Sequence, residues 1–189
     1  KKSEENYKDG KEDGKHTFWY ENGQIKKERN YKDGKRDGRG TIWYENGQKE
    51  SEGNHKDGKL YGKMTSWNEN GQKVAELNLK DGKEDGKSTT WYENGQKKVE
   101  VKYKDGKLNG KMNSWFENGQ KELEGKYKDG EKDGNWGEGN KNGQKVLDET
   151  KYENYRNGKK KSERNYKDGK EVGKHTFWFK NGKKELEVN

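Results

Sequence analysis

The 189-residue sequence has no cysteine and no proline, and only 21% of its residues are apolar. The missing cysteine excludes disulfides, thiolate metal sites and a cysteine nucleophile, while leaving the compartment open. The apolar shortage excludes a conventional packed core, and no hydrophobic run is long enough for a signal or membrane-spanning helix. The chain opens on Lys1, inside a repeat, which leaves room for a signal upstream. With 42% charged residues, composition alone places it near the disordered class. Its 44 basic and 36 acidic residues are interspersed, so the net charge of +8 reads as a solvated surface rather than a polyanion footprint.

What the chain does have is repetition. WYENGQ occurs at 19–24, 43–48 and 91–96, with close copies at 67–72 and 115–120 and a worn one at 178–183. Asn-Gly between strand-forming runs is a strong signal for a two-residue hairpin loop, whose two positions both require φ > 0. The turn glycines fall at 23, 47, 71, 95, 119 and 143, spaced by 24, then at 158 and 182. A second glycine series, mostly Lys-Asp-Gly, runs at 10, 34, 58, 82, 106 and 130, then 169. A third lies four residues further on. Such a fixed period argues against disorder and for a repeat array. Each repeat reads as strand, Asn-Gly turn, strand and a Gly-rich connection such as KDGKRDG at 32–38.

The expected organisation is a single repeat domain over 1–189. A partial unit (1–14) precedes five regular hairpin repeats (15–131), an irregular, shortened unit (132–158) and a terminal repeat (159–189). In the irregular unit Gly139 stands where tryptophan is expected and Trp136 reads as out of register. The step from Gly143 to Gly158 is short, so 146–155 is expected to join its strands directly.

If Asn22 and Gly23 are the two loop positions, Glu21 pairs Gln24, Tyr20 pairs Ile25 and Trp19 pairs Lys26, whereas a three-residue or bulged turn shifts this register by one. Tyr20, Phe18, Ile25 and Tyr31 then share the more apolar face, with Ala75, Leu77, Val99, Val101 and Leu123 at matching sites. The other face carries the tryptophans and a glutamate recurring as Glu28, Glu52, Glu76, Glu100, Glu124, Glu163 and Glu187. Successive tryptophans lie two strands apart, about 9.6 Å at roughly 4.8 Å per strand. Ring pairs need centroids within about 7 Å, so the rings do not stack directly. In this register Lys26, Glu50, Val74, Lys98 or Glu122 fills the gap. The candidate contact residues are Trp19, Trp43, Trp67, Trp91, Trp115 and Trp178 with Tyr20, Tyr44, Tyr92, Phe116 and Phe179.

Catalytic groups do not converge. His16 and His175 occupy equivalent repeat positions and read as strand decoration, and the glutamates form a ladder rather than a carboxylate pair. No phosphate-binding glycine loop leads into a helix. The two aspartates of KDGKEDG are better explained as turn formers than as calcium ligands, because lysine flanks them. Neither a metal nor a cofactor is expected. Aromatics interleaved with lysine could stack nucleic-acid bases, but the glutamate row on that face weighs against it.

Written out as G-K-x-D-G-K-x-T-x-W-Y-E-N-G-Q-K-K-x-E-x-x-Y-K-D, the repeat resembles the MORN-repeat family, and more closely its bacterial variant of about 24 residues in antitoxin-like proteins. The resemblance covers nearly the whole chain except 132–158. It implies an all-β fold, an elongated array of β-hairpins forming a single twisted antiparallel sheet. It also implies a non-catalytic protein-binding scaffold or inhibitor, with lipid-headgroup binding as a further family property. An inhibitor would be cytoplasmic; a chain with an upstream signal would be periplasmic or on the surface. A weaker likeness to choline- and glycan-binding wall repeats makes a cell-wall ligand the alternative. Nucleic acid is not the expected partner, and the sheet edges offer a route to oligomers.

Overall fold

The computed structural model describes residues 2–143, 145–146, 149–167 and 170–188. Among them every regular element is a strand, and neighbouring strands are antiparallel and follow chain order without crossovers. A 15-stranded sheet runs from the N-terminal edge to Lys145–Val146, and a 5-stranded sheet comprises the strands from Glu149–Asn154 to Lys184–Val188. The array is thus divided within the stretch where the sequence departs from its period. The expected direct junction over 146–155 includes residues 147 and 148, which lie outside the described residues.

The two turn types exchange the roles that the sequence suggests. In the Asn-Gly loops only the glycine takes positive φ, +87° at Gly23 and +84° at Gly47. The Tyr20 N–H donates to the Gln24 carbonyl (2.8 Å) and the Gly23 N–H to the Tyr20 carbonyl (3.0 Å). That is a three-residue loop, 21–23, ending in a left-handed glycine. The Asn22 Oδ1 accepts from the Gln24 N–H at 2.9 Å, which fixes the turn from within. The two-residue loops with both φ values positive are the Lys-Asp-Gly segments: Asp33 and Gly34 have φ of 49° and 78°, between the paired Lys32 and Lys35. The supposed Gly-rich connections are therefore hairpin tips themselves.

The longer Asn-Gly loop moves the strand register by one, and a bulge moves it back. Trp19 pairs Ile25 rather than Lys26, and then Phe18 pairs Lys27 and Thr17 pairs Glu28. Lys26 is the extra residue. Ile25 accordingly leaves the Phe18 face for the tryptophan face, and Lys26 crosses the other way. The same shift recurs at Trp43, Trp91, Trp115 and Trp178.

The sheet is one layer thick and has almost no interior: among the described residues Val101 is the one buried apolar side chain. Burial falls instead on small polar side chains in mid-strand, such as Thr41, Thr89 and Ser114, and on His16 at 1% exposure. His16 is therefore more than decoration. Its ring lies 4.5 Å from that of Tyr31, and its Nε2 is 2.8 Å from the Asn6 carbonyl.

Candidate functional site

The candidate residues divide into two working groups. The tyrosine hydroxyls lock one repeat to the next: Tyr20 donates to the Trp43 carbonyl (2.6 Å), Tyr44 to that of Trp67 (2.8 Å) and Tyr92 to that of Trp115 (2.9 Å). Tyr155, which the sequence reading overlooked because its repeat lacks the preceding tryptophan, makes the same bond to Trp178 at 2.9 Å. Burial, ahead of nearby glutamates, pushes the Tyr20, Tyr44 and Tyr92 hydroxyls above the usual tyrosine range, which keeps them protonated as donors. Phe116 has no hydroxyl to give, and the next repeat has Gly139 in place of the tryptophan. Phe179 is 48% exposed.

Trp19, Trp43, Trp67, Trp91, Trp115 and Trp178 are all half-buried. No two of them form a ring pair among the described residues; over Trp67, Trp91, Trp115 and Trp178 a lysine from the preceding repeat stands instead. Lys49 Nζ lies 5.7 Å from the Trp67 ring centre, Lys73 5.3 Å from Trp91 and Lys97 5.6 Å from Trp115. These are the residues paired with Trp43, Trp67 and Trp91. The expected fillers Lys26, Glu50, Val74, Lys98 and Glu122 occupy the bulge and face the other way. Lys26 and Lys98 stand over Tyr20 and Tyr92, and Glu122 accepts from the Ser114 hydroxyl.

Four glutamates of the row on the tryptophan face are clamped between two cations, while Glu28 is paired with Lys15 alone among the described residues. Glu76 is bonded by Lys73 and Lys63 (both 2.9 Å), and Glu100 by Lys97 (2.7 Å) and Lys87 (2.8 Å). Arg39 and Lys49 hold Glu52, and Lys174 and Lys184 hold Glu187, in the same way. The ammonium groups bonded to Glu100 and Glu187 hold both carboxyls below the usual glutamate range. At Glu52 and Glu76 burial pushes up, and the paired cations outweigh it. Each clamp has two cations and one carboxylate, so each leaves one positive charge beside a tryptophan. The glutamates do not make this face acidic, contrary to the argument from the row alone.

On the opposite face the residues of mid-strand form a row across the sheet: His16, Arg29, Gly40, Gly53, Met64, Leu77, Ser88, Val101, Met112, Gly125 and Trp136. Trp136 is therefore in register, at the position of His16 and Met112, rather than displaced. Gly125 makes room for its indole, since any Cβ there would overlap the ring. The indole also meets the Tyr127 ring edge-on at 4.9 Å.

No curated protein matches this chain. The profile of the MORN repeat variant matches six segments, 12–33, 36–57, 60–81, 84–105, 108–129 and 150–168, together more than half of the chain. The unmatched interval between the last two holds the division of the sheet. The chain belongs to the MORN repeat variant family.

Proposed function

We propose that this MORN-repeat chain is a non-catalytic binding platform that takes a protein partner on its tryptophan face, as a scaffold or as an inhibitor of the antitoxin type. The observation that carries the reading is the regular alternation on that face of half-exposed indole rings and lysines with one uncompensated positive charge per clamp. Tryptophan is among the residues that most often dominate binding energy at protein interfaces. A periodic row also rewards a partner that touches several repeats at once.

The test is capture from a host lysate by the intact chain and by the double variant Trp67→Ala/Trp91→Ala. One specific protein retained by the first and lost by the second, with the β circular dichroism unchanged, supports the reading. Equal capture by both contradicts it. The surplus charge favours a second reading, an anionic lipid headgroup or wall polymer. That reading expects sedimentation with anionic vesicles or purified cell walls without any partner protein.

A further inference from the structure

The row of mid-strand residues on the face opposite the tryptophans has one gap. Gly40 and Gly53 are paired directly across the second hairpin, where other repeats place His16 with Arg29, Met64 with Leu77 or Ser88 with Val101. Neither glycine is there for its backbone, because neither has positive φ. The space left by their side chains is a cavity of about 160 Å³, open to solvent. Met64 and Leu60 lean over Gly53, and His55 leans over Gly40. Arg29 and Arg36 line the same cavity.

No carboxylate among the described residues lies within ion-pair distance of either guanidinium, whereas Glu52, Glu76, Glu100 and Glu187 of the other face are each held by two cations. The electrostatic surroundings agree. Burial first, then the charges of Arg36 and Arg29, lower the His55 imidazole. Burial first, then the charges of Arg29, Lys26 and Arg36, lower the nearby Lys27 ammonium. The patch thus holds two guanidinium groups without an ion-pair partner among the described residues, beside apolar walls from Ile42, Leu60 and Met64. Glu28 and Glu52 also contribute to the lining, but their row belongs to the tryptophan face, where Lys15 holds Glu28 and Arg39 and Lys49 hold Glu52. The volume is below the roughly 300 Å³ of a small-molecule site and suits one side chain of a partner.

We infer that the Gly40–Gly53 cavity is an anchor point for an acidic segment of a partner protein, taking one apolar side chain between the strands and an adjacent carboxylate on Arg29 and Arg36. This site lies on the other face from the proposed tryptophan surface, so the two fail separately. A paired carboxylate supplies the missing counter-charge in bidentate geometry, which a lysine patch would not select.

The probe is the capped tetrapeptide acetyl-Gly-Glu-Leu-Gly-amide, titrated into the ¹⁵N-labelled full chain while the Gly40 and Gly53 amide signals are followed. Saturable shifts with a dissociation constant in the range of about 1 mM are expected. They should weaken at least tenfold with the Gln-Leu peptide, and tenfold for Arg29→Gln. Gly40→Met places the side chain of Met64 and Met112 at the empty position, and an added Cβ there meets nothing nearer than 3.8 Å. It should keep the thermal midpoint and abolish the Gly53 shift. Absence of shifts up to about 10 mM peptide overturns the inference. So do equal shifts from the Gln-Leu peptide, or from inorganic phosphate at matched ionic strength, which would mark a site for any anion.

Discussion

At the scale of the residue, tyrosine and tryptophan stand side by side in WYENGQ and have different surroundings, the hydroxyl bonded to the next repeat and the indole covered by lysine. The tyrosine hydroxyl spans to the next repeat's backbone, so Tyr44→Phe should cost about 1 kcal/mol in urea unfolding, the usual net value of one such bond. The reverse change is available at Asn68, which stands at the tyrosine position and turns its side chain to the Gln72 amide and N–H instead. Asn68→Tyr should raise the urea midpoint by supplying the missing bond to the Trp91 carbonyl. On the opposite face Gly125→Ala should cost about 1–3 kcal/mol, because the new methyl must displace the Trp136 ring from a packed position. A shift in tryptophan emission should accompany that loss. No comparable cost is expected at Gly40, where the space is open.

At the scale of the element, the hairpins are stacked by both of their ends. The Asn-Gly loops are joined by side-chain amides, such as Asn46 Nδ2 donating to the Glu69 carbonyl at 2.7 Å. The Lys-Asp-Gly tips are joined by backbone, as where the Gly58 N–H donates to the Arg36 carbonyl at 2.8 Å. Between the ends, the carboxylate clamps make the sheet sensitive to acid. Glu76, Glu100 and Glu187 have lowered values in the fold, so their contribution is complete above the ordinary glutamate value of about 4.3 and drains away as pH falls through the lowered ones. The urea midpoint should therefore drop as pH goes from 5 to 3, and drop less in about 1 M salt, where exposed pairs are screened. The strands, their order and most of the pairing were legible from periodicity, since Thr17 does face Glu28 and Phe18 does face Lys27. What was not legible was that a three-residue loop and a one-residue bulge occur together and compensate. Each moves the register by one, and their sum is silent outside the stretch from Trp19 to Lys26. Likewise the periodic site that Trp136 shares with His16 is hidden in the sequence, because Gly139 replaces the WYENGQ tryptophan of that repeat. The lysines over the rings were missed for the same reason as Ile25.

At the scale of the molecule, stability is shared among near-identical neighbours instead of gathered in a core. Each hairpin meets only the ones beside it, so removing one full period should leave the junction chemistry unchanged. Deletion of 73–96 joins Gln72 to Lys97 in the same phase, and the shortened chain should keep its β circular dichroism with a modestly lower thermal midpoint. Loss of the fold would mean that the repeats are not interchangeable. We propose that holding the repeats together and contacting a partner are separate tasks given to adjacent aromatic residues. It is tested most directly by measuring unfolding free energy and partner affinity on two double variants, Tyr44→Phe/Tyr92→Phe and Trp67→Ala/Trp91→Ala. The tyrosine pair should lose about 2 kcal/mol of stability with affinity unchanged, and the tryptophan pair should lose at least tenfold in affinity while remaining folded. If both quantities fall together in both variants, the aromatic ladder is a single structural device and the claim is wrong.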